Sequence, residues 1–406
     1  MIKKVKISDL KPGMYVHDLN VPWIDGGFLL GRYMLQSDSQ IEKLKNANIL
    51  EVLIDTERGL DAKNAPTEME ANAALVDEMT GAVSAEASKS IAARQKAQWE
   101  ESKQAFKEAV SIVTSIFNDV RLGNQTGIRH AFPVVENIRK GVMLDDGALV
   151  SLCRLKNRDD YTFKHSVSVS ALLITLCGAI GGYSSDDLVQ IGLGGLFHDI
   201  GKMMTPDHIL YKPGRLTEKE REIMTAHVNE GVDYLRREHG LGELAFGVVA
   251  EHHEKYDGSG YPRGLCRDQI SKVGQMASII DVYDAITSNR VYHAAIEPAA
   301  AIRLLYEWAG RHFDGALVRS FIRMIGIYPV GSLIRLQSGR LAVVIRQSGE
   351  NLLQPVVKIV YNAVKGHRVP AQYVDLAAPD CQDYIVDYET PGIWDIDPIR
   401  FIEEDI

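Results

Sequence analysis

The chain has 406 residues, 46% of them hydrophobic, which suits two or three domains that each bury a core and excludes disorder throughout. Lys and Arg total 45 against 54 Asp and Glu, a formal net charge of −9. Duplex nucleic acid held on a broad basic face is therefore excluded, and an anionic substrate must find positive charge locally, in a few Arg or Lys side chains or in bound metal ions.

Residues 1–60 read as a small α+β domain. A strand is predicted around Val5–Ile7, a turn at Lys11-Pro12-Gly13, a second strand over Met14–Leu19, a short helix over Asp38–Asn46 and a further strand over Leu50–Ile54. From Thr56 to Ala93 the composition shifts to Ala, Glu, Ser, Asp and Asn, so 61–93 reads as a mobile linker, helical in places. Trp99, Phe106, Val110, Val113, Phe117 and Val120 then recur on one helical stripe that ends before Gly123, within a helical connector over 94–144. The stripe reads as core packing, with a homodimer seam or signalling helix as the alternative. Residues 145–327 are mainly helical by period. After Tyr328-Pro329 the runs LIRLQSG, RLAVVIRQSGEN and QPVVKIVYN are strand-like, so 328–406 reads as a small β-rich appendage. The fold class is mainly α with small flanking α+β and β-rich units. Cys153, Cys177, Cys266 and Cys381 include no CxxC pair, which points to a reducing compartment, the cytoplasm. The start MIKKVKISDL has no apolar segment behind it, and the longest apolar run, Ala171–Ile180, is about half of what spans a bilayer. No membrane partner is expected.

Eight of the twelve histidines fall between residues 151 and 300. His165 lies in YTFKHS, His198 and Asp199 in GLFHDIGK, His227 in MTAHVNEG, His252 and His253 in EHHEKYDGSGYP, and Asp281 in SIIDVYDAIT. Imidazoles and carboxylates on facing helices are the ligand set of first-row divalent metals, with Mn, Fe, Co, Ni and Zn all compatible. Seven ligands are too many for one ion. A carboxylate has two oxygens and can bridge two cations, and Asp199 is the candidate bridge. A pair of such ions favours hydrolytic phosphoryl transfer.

With HDIGK, HHEKYDGSGYP and DVYDAIT in this order, Arg290 downstream and ILYKPGRLTEKE between them, residues 145–327 resemble the HD-GYP subgroup of HD-domain phosphohydrolases. The first 60 residues, through LKPGMYV, resemble a domain of unknown function found before HD-GYP domains. The resemblance implies a phosphodiesterase for a cyclic dinucleotide second messenger of bacteria, chiefly cyclic di-GMP or 3'3'-cyclic GMP-AMP, opened to the linear dinucleotide and on to mononucleotides. It implies a di-iron or di-manganese centre, occasionally trinuclear, with Ni or Co as further options. Carried over residue by residue, the ligands are His165, His198, Asp199, His227, His252, His253 and Asp281, with Asp199 and Lys202 in the catalytic machinery. Lys202 matches a lysine near the scissile phosphate and Arg290 a residue that grips substrate phosphate, a bidentate task suited to a guanidinium.

Two departures bear on this reading. Some members hold a third metal with a Glu four residues before the first histidine, where this chain has Tyr161, so two ions are expected. Members usually carry Arg or Lys where this chain has His293, which weakens the phosphate grip and leaves room for the hybrid cyclic dinucleotide. Gly258 and Gly260 allow a tight turn, Pro262 stiffens its exit, and Tyr261 offers an aromatic face or hydroxyl to substrate. The Gly260-Tyr261-Pro262 loop and the N-terminal domain are the candidate docking points for a signalling protein. The rival readings are a receptor that holds the messenger without cleaving it and an HD-type mononucleotide phosphohydrolase. Preferred messenger, native metal, final product, proton donor and oligomeric state are open at this level.

Overall fold

The computed structural model describes residues 1–19, 32–46, 49–72, 74, 95–124, 127–144, 161–288, 295–348, 351–379 and 381–403, with the side chains of 95–103 and 161–162 outside that description. Arg290, His293 and Cys153 therefore lie outside the described residues. The chain divides into two compact units, Met1–Glu78 and Met79–Ile406.

In the first unit, β1 (Ile2–Lys6), β2 (Tyr15–Asp18), β3 (Tyr33–Met34) and β4 (Glu51–Asp55) form an antiparallel sheet in the order β1-β4-β2-β3, with α1 (Asp38–Asn46) packed on it. Alternation along β4 turns Val52 and Ile54 inward, where they meet Val5, Val16, Leu35, Ile41 and Leu44. β1 starts at Ile2 and stops at Lys6 because Ile7–Asp9 closes into a 3-10 turn, so the strand expected over Val5–Ile7 sits earlier. Gly13 takes φ +95° at the predicted turn, and a Cβ there would lie 2.7 Å from Leu60 Cδ1. The stretch from Thr56, read from composition as the start of a mobile linker, is instead tied to the sheet as far as Thr67. Leu60 N–H donates to Gly13 O at 2.7 Å, Lys4 N–H to Pro66 O at 3.0 Å, and Lys3 pairs with Thr67. Backbone hydrogen bonds, which composition does not register, hold it there. Residues 75–94 of that linker lie outside the described residues.

The second unit contains α2 (Gln95–Arg121), α3 (Ala131–Leu144), α4 (Tyr161–Ile180), α5 (Ser185–Phe197), α6 (Asp207–Leu210), α7 (Glu218–Thr225), α8 (His227–Leu235), α9 (Glu243–Glu251), α10 (Lys272–Ile286), α11 (Pro298–Glu307), α12 (Gly315–Ile325) and α13 (Pro398–Glu403), followed and interleaved at the C-terminal end by β5–β9. α2 has the predicted stripe, with Phe106, Val113, Phe117 and Val120 buried within the single chain, and it ends before Gly123 at φ +71°.

α4 is the central helix. It is apolar nearly all round from His165 to Cys177, packs against α2, α3, α5, α10 and α12, and its window Phe163–Ile180 is 72% buried. Its length and composition could cross a membrane, but that extent of burial is what a core helix has. Two of its buried hydroxyls find carbonyls: Ser168 Oγ donates to Lys164 O one turn back, and Ser170 Oγ crosses to Gly192 O at 2.7 Å. α5 starts with a capping box, Ser184 and Asp187 bonding reciprocally. Its glycines let neighbouring helices approach: a Cβ on Gly195 would lie 2.9 Å from Ser170 Cα, and one on Gly194 would lie 2.8 Å from Ala245 O.

β5 (Leu333–Leu336), β6 (Arg340–Arg346), β7 (Val356–Asn362), β8 (His367–Asp375) and β9 (Ile385–Tyr388) form an antiparallel sheet in the order β8-β7-β6-β5-β9. Three of these strands match the predicted runs. The edge strands β8 and β9 did not register, since β8 is mostly exposed and polar and β9 spans four residues. Arg303 of α11 ties the sheet to the helices through Asp387 Oδ1 at 2.6 Å.

Because the Ser170 backbone faces Gly195 alongside the movable Leu173 Cδ1, Gly195→Ala must push α4 from α5. Overpacking of this kind costs about 1–3 kcal/mol. Urea unfolding of this variant should show a lower midpoint at unchanged slope, and an unchanged midpoint would contradict the close-approach argument.

Candidate metal centre

Four helix ends converge on one buried cluster. α5 runs out at Phe197, so that His198 and Asp199 lead into a 3-10 segment, Ile200–Met204, instead of another helical turn. That segment lies against the start of α8 with no room for a side chain: a Cβ on Gly201 would collide with His227 O, and a Cβ on Gly231 would lie 3.3 Å from Gly201 N. This glycine-to-glycine contact brings His227, the first residue of α8, to Asp199. His252 follows the last residue of α9, and Asp281 projects from α10, whose N-terminus is capped by Ser271 Oγ accepting from Gly274 N–H. His165 sits near the start of α4.

The two oxygens of Asp199 face different imidazoles. Oδ1 lies 3.4 Å from His227 Nε2 and 3.8 Å from His252 Nε2, whereas Oδ2 lies 3.4 Å from His198 Nε2 and 3.9 Å from His165 Nε2. Asp281 also reaches both ways, with Oδ1 3.1 Å from His165 Nε2 and Oδ2 3.6 Å from His253 Nδ1. Two groups result, Asp199 with His227, His252 and His253, and Asp199 with His165 and His198, each having its ligand atoms within 4.8 Å of one another. All seven ligand positions expected from the sequence are thus together, and Lys202 Nζ stands 2.5 Å from Asp199 Oδ2. Tyr161 opens α4, but its side chain lies outside the described residues.

The ring orientations are set from behind. Nδ1–H of His198 donates to Gly195 O at 2.8 Å, that of His227 to Met224 O at 2.6 Å and that of His252 to Val249 O at 2.8 Å. A carbonyl can only accept, so Nδ1 carries the proton and Nε2 presents a lone pair to the centre. His165 Nδ1 is held by a carboxylate instead, Asp284 Oδ2 at 2.5 Å. Nε2 of His198, His227 and His252 and Oδ1 of Asp199 are buried and have no hydrogen-bond partner within the protein. An orphaned buried polar atom costs about 1–3 kcal/mol, and acceptors grouped in this way around the two oxygens of Asp199 are the donor set that divalent cations satisfy.

Electrostatics keep the set ready for ligation. Burial pushes His252 down to about 3, and burial with the neighbouring His252 holds His253 well below its usual range, so both rings are neutral. Burial would raise Asp199 and Asp281, but Lys202 and His198 outweigh it for Asp199, and His165 and His253 for Asp281, holding both carboxyls well below the usual range. His198 is the exception: burial lowers it, yet Asp199 and Asp281 raise it overall. On the exposed side, Lys202 and His253 keep 22% and 15% of their side-chain surface, against 3% or less for His165, His198, Asp199, His227 and His252.

The loop after His253 folds back over that exposed side. Tyr261 N–H donates to His253 O at 3.1 Å, and the Tyr261 ring lies 4.6 Å from the His253 ring, tilted by 33°. A Cβ on Gly260 would meet Lys255 N and His253 O, and Gly258 takes φ +81°. Two residues that sequence reasoning passed over hold the loop. Glu254 is buried and accepts from Arg263 N–H at 2.8 Å and Leu265 N–H at 2.9 Å; Glu251 accepts from Ser271 N–H at 2.8 Å and from the Arg263 guanidinium at 2.6 Å. Their signal was present in EHHEKY, on either side of the tandem histidines. Asp284 was likewise overlooked, although it stands one turn after Asp281 in DVYDAIT.

Asp284→Asn keeps the size of the side chain but weakens its grip on the His165 ring. Mn²⁺ affinity should fall about 10- to 100-fold when titrated calorimetrically against wild type, and equal affinities would show that Asp284 does not orient a ligand.

Comparison with known proteins agrees with this geometry. Residues 154–317 match the HD domain family, and residues 2–131 match a domain of unknown function, DUF3391. A cyclic di-GMP phosphodiesterase of Pseudomonas aeruginosa is 40% identical over 399 residues, which is 97% of this chain and 94% of that protein. A cyclic di-GMP phosphodiesterase of Vibrio cholerae is 35% identical over 191 residues, 44% of this chain and 39% of the relative. A 3'3'-cGAMP-specific phosphodiesterase of Vibrio cholerae is 43% identical over 122 residues, 30% of this chain and 23% of the relative. Among solved structures, an HDGYP protein from Bdellovibrio bacteriovorus covers 79% of this chain and 98% of its own, at 15% identity and a TM-score of 0.47. Identity of 40% sustained over 97% of the chain makes this protein a member of the HD-GYP family of metal-dependent phosphodiesterases, with an N-terminal domain of unknown function.

Proposed function

We propose that this chain hydrolyses a cyclic dinucleotide, cyclic di-GMP before 3'3'-cyclic GMP-AMP, at a centre of two iron or manganese ions held by His165, His198, Asp199, His227, His252, His253 and Asp281. The observation that carries the reading is Asp199, whose two oxygens face separate pairs of imidazoles, His227 with His252 and His198 with His165. When bound, two divalent ions supply Lewis acidity toward the phosphodiester oxygens and toward the attacking water.

The chain's own residues do the rest. Lys202 brings an ammonium to the exposed side of the cluster, where it neutralises a non-bridging phosphate oxygen. Tyr261, whose ring lies tilted against His253, lines the approach with an aromatic face for a ribose or base. Arg290 grips the phosphate remote from the reaction, and His293 stands where relatives carry a second permanent cation, so its contribution depends on its charge. Opening the ring yields the linear dinucleotide. The whole-length relative supports cyclic di-GMP as the first substrate, while the hybrid-specific relative matches 30% of the chain. Cys177, Cys266 and Cys381 are free thiols, which supports a reducing compartment, the cytoplasm. The Gly260-Tyr261-Pro262 loop is the surface we assign to a signalling partner.

Three measurements test this reading. Elemental analysis of anaerobically purified protein should give two ions per chain, with Mn²⁺ or Fe²⁺ restoring stripped enzyme and Mg²⁺ failing, since Mg²⁺ prefers oxygen ligands and keeps its waters; full activity with Mg²⁺ alone would refute the imidazole-rich centre. Asp199→Asn keeps the volume and removes the charge, so hydrolysis should fall by more than about 100-fold together with metal content, and wild-type turnover would end the bridging reading. The ratio of kcat/KM for cyclic di-GMP over 3'3'-cyclic GMP-AMP should exceed one and rise further in His293→Arg; a ratio unmoved by the substitution removes His293 from substrate choice.

A further inference from the structure

We propose that Phe117, on the helix preceding the metal domain, is a positioning residue that sets the spacing between His165 and His198, and so couples α2 to one half of the metal centre. The inference rests on the metal-centre reading above and goes beyond it, because Phe117 is not among the ligand residues.

Phe117 is fully buried, and its ring meets two others. It meets Phe163 edge-on, centroids 5.8 Å apart at 89°, and stacks on Phe197 at 6.4 Å and 23°. Phe163 precedes His165 by two residues on α4, and Phe197 immediately precedes His198 at the end of α5. The Phe117 ring thus touches one ring from each of the two segments that deliver His165 and His198, whose own rings are 5.0 Å apart. No comparable aromatic contact from α2 reaches His227, His252 or His253 among the described residues.

A second contact fixes the same end of α2. Arg121, one turn beyond Phe117, donates to Asp207 Oδ1 at 2.7 Å and to Tyr211 Oη at 3.1 Å, with its guanidinium 5.5 Å from the Tyr211 ring. Asp207 and Tyr211 lie just beyond the 3-10 segment that carries Lys202, and α2 packs directly on that segment. The N-terminal DUF3391 match spans residues 2–131, which takes in all of α2, whereas α2 packs within the unit that holds the metal centre. A helix that belongs by sequence to the N-terminal domain therefore carries, near its end, a fully buried ring against Phe163 and Phe197, neighbours of two ligand positions. A core packed at crystal-like density transmits a shift of such a ring instead of absorbing it.

The test uses the full chain with Mn²⁺ as probe. Wild type should bind two Mn²⁺ ions and give the electron paramagnetic resonance signal of a spin-coupled pair. In Phe117→Leu one of the two ions should bind about 10-fold or more weakly while the other keeps its affinity, and the spectrum should change to that of an isolated ion. Turnover at low Mn²⁺ should drop in kcat with KM unchanged. Phe117→Met, which keeps most of the volume without a ring, should show the same selective loss and covers the case in which the leucine variant does not fold. Val343→Ala, a fully buried change in the C-terminal sheet, serves as the control for general destabilisation. Equal weakening of both ions, unaltered binding of both, or the same selective loss in Val343→Ala would each overturn the proposal. If the metal readout behaves as expected while no cyclic dinucleotide is hydrolysed by wild type, the substrate assignment fails and the role of Phe117 stands.

Discussion

The rest of this structure depends on a buried carboxylate that must stay ionised. Asp199 is almost completely removed from solvent, and taking an ion of this kind out of water costs several kcal/mol even after relaxation. Lys202 offsets part of that cost from one side. The imidazoles of His198, His227 and His252 commit their Nδ1 protons to carbonyls, and His165 is held by Asp284 through Nδ1, so each ring turns Nε2 toward the centre. The same arrangement that leaves Asp199 Oδ1 without a partner leaves three Nε2 atoms without one. Divalent cations resolve both deficits at once, so the centre is coherent as a ligand set and costly as an empty cavity.

Helix endings, more than helix interiors, build this centre. His198, His227 and His252 each lean on the carbonyl three residues earlier, a contact available where a helix starts or stops and its carbonyls are free of the regular ladder. Gly201 and Gly231 allow the ends of two elements to meet backbone to backbone. The loop that follows the tandem histidines is held by Glu251 and Glu254, whose carboxylates occupy backbone N–H groups that would otherwise be unsatisfied. EHHEKYDGSGYP is therefore one mechanical unit, with two histidines of the candidate metal centre, two residues for anchoring and the remainder turned back over His253. Phe117 and Arg121 of α2 contact the other side of the centre, at Phe197 before His198 and at Asp207 beyond the 3-10 segment.

Residue type and period were enough to establish a good part of the protein. Seven ligand-type residues in short distinctive contexts announced a metal centre, and the excess of carboxylates over basic residues indicated that positive charge would have to come from ions or from a few side chains such as Lys202. Amphipathic periodicity located α1 over Asp38–Asn46 and the buried stripe of α2, because a helix facing a core repeats its apolar residues every three or four positions whatever the partner is. The tertiary structure decided what period cannot encode. The division of Asp199 between two sets of imidazoles depends on where α4, α8 and α9 end relative to one another. Asp284 could orient His165 only after a contact spanning 119 residues had formed. Glu254 looks like any surface glutamate until the loop closes on it. Thr56–Thr67 is linker-like in composition yet hydrogen-bonded to a sheet, and β8 and β9 pair as edges without an apolar pattern, because main-chain hydrogen bonds are indifferent to side-chain identity. Local chemistry is written in order along the chain; the orientation of that chemistry is a property of packing.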